Sequence, residues 1–232
     1  MNKNNIVIGI EGKVGAGKTS ICRKLLNYIP NSIILHGGNI YRAIVYQLLE
    51  SGIEINDIAK NMKSIDILSI LKKLNLEIKL ENKETVIYIN NKKINEEDLQ
   101  SNKSSMAVSM VSNVADNGNL YKFGKNLIDT FRENYNVILS SRDIMKMYPD
   151  VTYHFFITAD LEERINRKYI QYNGNTSKEE IRDTIQKREK LEESSGYYDI
   201  HPNTKIIDVT DCKTVEESLE KVIENIKIKA IM

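Results

Sequence analysis

The sequence predicts an α/β domain organised around a central parallel sheet. Three observations carry that expectation. Apolar runs of strand length alternate with stretches of helical periodicity along the 232 residues. The first run, Ile6-Val7-Ile8-Gly9-Ile10, stops at Gly12-Lys13-Val14-Gly15-Ala16-Gly17-Lys18-Thr19, which reads G-x-x-x-x-G-K-[ST]. The next residues, Ser20 to Tyr28, keep Ile21, Leu25 and Tyr28 on one helical face. Strand, glycine loop and helix in that order build a cradle for phosphate: loop N–H groups turn inward and the helix start adds the positive end of its dipole.

The remaining elements continue the alternation. A second strand is expected at Ser32–Leu35, then helical pattern from about Ile40 to Leu49 and again from Asn56 to Leu74. Residues 75–94 switch to period two: Leu76, Ile78 and Leu80 alternate with polar residues, Asn82-Lys83 breaks the run, and Val86-Ile87-Tyr88-Ile89 comes next, before Asn90-Asn91. That pattern predicts a small antiparallel meander inserted in the β/α chain. Helices are expected at Ser104–Ala115 and Leu120–Tyr135, and a buried strand at Val137-Ile138-Leu139 ends at Ser140-Ser141-Arg142-Asp143. Val151–Thr158 reads as a strand and Leu161–Tyr172 as a helix, broken by Asn173-Gly174-Asn175. Ser177 with Glu180 forms a capping-box signature for a helix to Glu193. A strand at Ile206–Val209 and a helix at Val215–Ile228 complete the chain.

Bulk properties narrow the function. With 33 basic and 32 acidic residues the net charge is +1, which leaves no electrostatic footprint for nucleic acid or a membrane surface. No run reaches the apolar length of a membrane span, and no signal-peptide core precedes the first strand. The two cysteines, Cys22 and Cys212, lack metal spacing and suit a reduced, cytoplasmic setting with structural thiols. The expected partners are small-molecule nucleotides, with no nucleic acid and no membrane, and the expected state is a monomer.

Three charged groups stand after the strand ends: Tyr41-Arg42, Arg142-Asp143, and the basic set Arg164, Arg167, Lys168 and Arg188 around the Asn173–Asn175 break. Arginine forks match phosphate oxygens in pairs. Arg42 and Arg142 therefore suit an acceptor phosphate, Asp143 suits sugar hydroxyls, and the third set suits charge developing on a transferring phosphoryl group. Each has a plainer use as well. Asp143 could cap the segment after it, and Arg164 and Arg167 could pair with Glu162 and Glu163 on one helix face. His36 suits strand-end packing.

With these residues in place the chain resembles the bacterial cytidylate kinases, P-loop nucleoside monophosphate kinases. The resemblance rests on Glu11 before the loop, Gly38-Asn39-Ile40-Tyr41-Arg42, the meander, Ser109-Met110-Val111-Ser112, Ser141-Arg142-Asp143 with Tyr148-Pro149-Asp150, Glu162-Glu163-Arg164 with Arg167-Lys168, and Lys187-Arg188-Glu189. It implies a P-loop kinase fold: a three-layer α/β/α domain with a central parallel sheet, a small antiparallel β insert and a helical lid. One domain would span residues 1–232, with a core at about 1–50 and 104–232, a monophosphate-binding insert at about 51–103 and a lid at about 164–192.

The resemblance implies ATP held by Gly12, Lys13, Val14, Gly15, Ala16, Gly17, Lys18, Thr19 and Ser20, with Mg²⁺ on Thr19. It implies catalysis by Lys18, Arg142, Arg164, Arg167 and Arg188. The acceptor would meet Gly38, Tyr41, Arg42, Ser109, Ser112, Arg142 and Asp143. The implied reaction is ATP-dependent phosphorylation of CMP or dCMP to CDP or dCDP. Two alternatives stand beside it: a kinase of another small acceptor such as a deoxynucleoside, and a nucleotide-binding regulator or ATPase with a degenerate acceptor site. The chain departs from the family pattern at His36-Gly37, where Asp-Ser/Thr is usual, at Ser141, where Gly is usual, and at Lys190–Ser195, where acidic residues replace several arginines.

Overall fold

The computed structural model describes residues 5–50, 52, 73, 75–95, 99 and 118–227. Among them the elements run β1 (Val7–Gly12), α1 (Lys18–Tyr28), β2 (Ser32–His36), α2 (Gly37–Glu50), β3 (Leu76–Glu81), β4 (Glu84–Ile89), β5 (Lys92–Lys93), α3 (Gly118–Arg132), β6 (Asn136–Ser140), α4 (Ile144–Met147), β7 (Tyr153–Thr158), α5 (Leu161–Gln171), α6 (Lys178–Ser194), β8 (Lys205–Asp208) and α7 (Val215–Ile223). The strands form one sheet in the order β3-β4-β2-β6-β1-β7-β8, with β5 beside β4. β1 pairs in parallel with β6 and β7, β6 with β2, and β7 with β8.

Fully buried strands need apolar residues on both faces, and the sequence of β1 supplies them. Ile8 and Ile10 enter one core with Ile21, Cys22 and Leu25 of α1 and Val222 of α7. Val7 faces the other way, into a core with Val137 and Leu139 of β6, Ile128 of α3, and Ile144 and Met147 of α4. Helices on both faces of the parallel sheet give the three layers that the β/α alternation predicts. Cys22 is fully buried and its thiol is pushed up to about 12 by that burial, so it serves as core and not as a nucleophile.

The expected elements that fall within the described residues are present with shifted ends. α2 starts at Gly37, directly after β2, and not near Ile40. α7 stops at Ile223, short of Ile228. The capping box holds: Ser177 Oγ accepts from Glu180 N at 3.2 Å and the Glu180 carboxylate accepts from Ser177 N at 3.2 Å. The one-turn α4 has no apolar period long enough to announce it. The helical patterns read at 56–74 and 104–115 lie outside the described residues.

The meander is antiparallel as expected, with Leu76 opposite Ile89 and Leu80 opposite Thr85. It is also joined to the main sheet, because Ile34 of β2 registers in parallel with Glu84 and donates its N–H to Lys83 O at 2.8 Å. Glu84 secures this junction. Its carboxylate meets His36 Nε2 at 2.8 Å and Arg23 Nε of α1 at 2.8 Å. The His36 hydrogen bond acts first, outweighing partial burial, and with Arg23 it holds the carboxyl at about 2.

A carboxyl whose proton affinity is lowered by folding stabilises the fold above its unfolded value, near 4.5, and loses that contribution as pH falls toward 2. With the Glu84 side chain 22% exposed, the contribution is on the order of 2 kcal/mol. Glu84→Gln is therefore expected to be less stable than wild type at pH 7 in urea unfolding, with the gap closing between pH 5 and pH 2. A gap that stays constant across that range would contradict the assignment.

Candidate active site

The register of the sheet decides what meets at its carboxyl edge. Ile10 and His36 both lie opposite Ser140 of β6. Three turns therefore leave adjacent strands at one level: the glycine loop after β1, the start of α2 after β2, and Ser141-Arg142-Asp143 after β6. This is the edge where ligands of parallel α/β sheets bind.

The glycine loop needs its glycines. Gly12 has φ +139°, and a Cβ there would fall 2.0 Å from Ile157 O of β7. Gly15, at φ +80°, passes against Arg164, where a Cβ would lie 3.2 Å from that residue's Cβ. Lys13 N donates to Ile157 O at 3.0 Å, and Val14 packs into a small core with Ile165 of α5 and Ile181 and Ile185 of α6. The glycine loop and helices α5 and α6 thus share one apolar contact. Thr19 and Ser20 open the first turn of α1, the former half-buried and the latter exposed.

Lys18 Nζ donates to the carbonyls of Gly12 and Lys13, each at 2.7 Å. Enclosure of the amine, with Arg142, Arg188 and Lys168 around it, lowers it to about 7 although Glu192 opposes the shift. The counter-charge is Glu192 on α6, 1% exposed. Its carboxylate pairs with Arg142, reaches Arg188 Nη2 at 3.4 Å and accepts from Tyr198 Oη at 2.8 Å. Burial alone would raise the carboxyl, but Arg142 and Arg188 override it and hold it low. Lys168 belongs to the same field, lowered to about 8 by burial and by Arg188 and Arg42.

Arg164 and Arg167 are used differently. Arg164 is 2% exposed, donates to Ala159 O at 2.8 Å and Val14 O at 3.0 Å, and forks onto Glu189 at 2.6 and 3.3 Å. Arg167 pairs with Glu163 at 2.8 Å and donates to Ala16 O at 3.4 Å, Val209 O at 2.7 Å and Cys212 O at 3.2 Å. Both fasten the backbone of the phosphate loop to α5. The charge of Arg164 is balanced from α6 by Glu189.

On the other side of the edge, Gly38, Tyr41 and Arg42 lie in the first turns of α2, with Arg42 Nη1 donating to Asn39 Oδ1 at 3.2 Å. Asp143 is buried at φ +52° and accepts from Tyr121 Oη at 2.5 Å, with Lys146 Nζ at 3.2 Å. Burial raises its carboxyl. It precedes α4 without capping it by side chain, so the capping use read from the sequence is absent. The turn is instead held by Glu11, whose Oε1 accepts from Ile144 N at 2.5 Å. Glu11 thereby ties the phosphate-loop strand to the Arg142-Asp143 turn. His36 is a buried strand-end residue satisfied by Glu84. Ser109 and Ser112 lie outside the described residues.

The structure brings Lys18, Arg142 and Arg188 around one point and sets Arg42 and Asp143 beside it. Lys168 of the basic set joins this field, Tyr121 and Tyr198 join the site without having been singled out by the sequence, and Glu192 had read only as a departure. Glu192 had a signal: it stands four residues after Arg188 on one helix, the spacing at which side chains meet. Tyr121 and Tyr198 had none, because neither stands at a spacing that marks a contact. Among the described residues no helix is long and apolar enough to cross a membrane.

Comparison with known proteins places the chain in a family. The sequence profile of the family described as "Cytidylate kinase" matches residues 8–228. A protein of Clostridioides difficile (strain 630) named cytidylate kinase is 30% identical, covering 97% of this chain and 99% of its own length. One from Caldanaerobacter subterraneus subsp. tengcongensis, with the same name, is 29% identical over 96% of this chain and 95% of its own. One from Aquifex aeolicus (strain VF5), again so named, is 30% identical over 94% of each. The chain therefore belongs to the cytidylate kinase family and is an enzyme, a phosphotransferase of the kinase class.

Proposed function

We propose that the chain transfers the γ-phosphoryl group of ATP to CMP or dCMP. The observation that carries this reading is the convergence of two phosphate-suited sites at one sheet edge. The glycine loop with Lys18 lies on one side, Arg42 with Arg142-Asp143 on the other, and Arg188 faces both through Glu192. The attacking atom is an oxygen of the acceptor phosphate, already ionised at neutral pH, so no strong general base is needed. Catalysis then reduces to placing the two phosphates in line and stabilising spreading charge.

The chain's own residues divide this work. Loop N–H groups from Gly12 to Ser20 and Lys18 would hold the donor phosphates. Lys18 would exchange the carbonyls of Gly12 and Lys13 for phosphate oxygens, which favours its charged form. Arg42 and Arg142 would fork onto the acceptor phosphate, and Asp143, oriented by Tyr121, would accept from the sugar. Arg188 would act on the transferring group. Arg164 and Arg167 would act through the loop they hold, keeping the cradle in shape when the lid closes and excludes water.

The donor set fits Mg²⁺ in one specific way. Among the described residues no cluster of three or more His, Cys, Asp or Glu could hold a metal ion by itself. Thr19 offers one hydroxyl, and a small hard cation that keeps its waters and takes most of its ligands from nucleotide phosphates suits such a site. Bound there, it would neutralise charge between the phosphates.

The acidic lid return also fits this reading. Glu192 balances Arg142 and Arg188, which supports reading it as part of the charge arrangement of a working site. A deoxynucleoside acceptor would need a base to take a hydroxyl proton, and Ser140-Ser141 stand before Arg142 where an acid would serve.

The test is a coupled phosphoryl-transfer assay with ATP or GTP as donor over CMP, dCMP, UMP, AMP, GMP and dTMP, with deoxycytidine as the unphosphorylated control. CMP and dCMP are expected to be the best acceptors and deoxycytidine inactive; absence of turnover on either cytidine monophosphate would sink the proposal. Arg42→Ala is expected to raise KM for CMP by about 10–100-fold, the loss of a charge-assisted hydrogen bond, and to leave KM for ATP within about twofold. Equal rises in both would place Arg42 outside the acceptor subsite.

A further inference from the structure

Gly37 and Ser141 compete for one space. They come directly after His36 and Ser140, which lie opposite each other on adjacent parallel strands. A Cβ built on Gly37 would lie 2.6 Å from Ser141 Oγ and 2.9 Å from Ser141 Cβ. Contacts this short cannot exist: the hydroxyl could rotate away, but the Ser141 Cβ is set by the backbone one residue past the end of β6. Gly37 is buried, and its φ lies outside the left-handed region that favours glycine. Its backbone would accept a side chain; only Ser141 forbids one. Both residues are also points at which the chain departs from the pattern it resembles, and the structure shows that the two departures touch.

The space is chemically placed. It lies at the head of α2, whose first-turn N–H groups lack helical partners, one turn before Arg42 and next to Arg142. Ser141 is half-buried, and its hydroxyl has a long hydrogen bond to Arg142 O, 3.3 Å. That leaves its lone pairs open and its proton easily redirected to a stronger acceptor.

We propose that the Ser141 hydroxyl is a ligand of the acceptor phosphate, and that position 37 is glycine because the Ser141 side chain occupies the space between the two strand ends. The proposal rests on the monophosphate kinase reading above. In it the acceptor phosphate sits over the start of α2, gripped by Arg42 and Arg142 and by a hydroxyl reaching from β6. A hydroxyl on either strand end could fill this position, but both together could not.

The experiment compares wild type, Ser141→Ala, Ser141→Gly, Gly37→Ser, and the double variant Gly37→Ser with Ser141→Gly, measuring KM for CMP, KM for ATP and melting temperature. Ser141→Ala is expected to raise KM for CMP about tenfold, with KM for ATP and melting unchanged, as loss of a hydrogen bond to a charged group requires. Gly37→Ser is expected to melt lower and to lose CMP affinity. The double variant, which moves the hydroxyl across the gap, is expected to recover wild-type melting and to come within about threefold of wild-type KM for CMP. An unchanged CMP KM in Ser141→Ala would overturn the ligand role. Effects of the double variant equal to the sum of the single ones would overturn the shared space. A wild type inactive on every monophosphate would overturn the kinase reading and the ligand role together, whereas the melting data would still decide the shared space.

Discussion

Glu192 is 1% exposed, yet its carboxylate pairs with Arg142, just past β6, and Arg188 from the lid and accepts from Tyr198 at 2.8 Å. Lys18 of the phosphate loop lies within the same field. Cations brought together in a partly dry site repel strongly, and removing the carboxylate that pairs with two of them leaves uncompensated buried charge. The geometry of the site depends on this carboxylate. It is supplied by α6, so that helix is held against the strand end that carries Arg142. In the proposed reaction, incoming phosphate groups would bring negative charge to the same place, and the arginines could turn to them without the site having been assembled around an empty, repelling centre.

The rest of the structure makes this arrangement rigid by fastening backbone to backbone through side chains. Glu11 ties the loop strand to the Arg142-Asp143 turn. Arg164 and Arg167 tie the loop's carbonyls to α5, and Glu189 of α6 balances Arg164. Val14 buries the loop's tip in the small core of the lid. If α5 and α6 close over the donor as proposed, they would pull on the glycine loop itself and so would couple water exclusion to donor placement.

Much of this was legible in the sequence because it is local. The strand, loop and helix at residues 7–28 are announced by a contiguous motif, and the capping box at Ser177–Glu180 by spacing alone. Arg42, Arg142 and Asp143 could be placed near the site because parallel strands present their ends on one edge. The hidden part depends on pairing across the chain. The parallel join of β4 to β2 comes from tertiary register, not from the period-two pattern of residues 75–94. The partner of Arg164 proved to be Glu189, 25 residues on, and not its helix neighbours Glu162 and Glu163. Gly37 and Ser141 read as two unrelated departures until the register of β2 and β6 set them side by side.

The melting temperature of Glu192→Gln, measured with and without ATP, tests the central charge balance most directly. Loss of a buried carboxylate between two guanidinium groups is expected to cost about 3–5 kcal/mol, lowering the melting temperature by roughly 6–20 °C for a domain of this size. ATP, whose phosphates restore negative charge, is expected to raise the variant's melting temperature by more than it raises that of wild type. A variant that melts like wild type and gains no more from ATP would contradict the account.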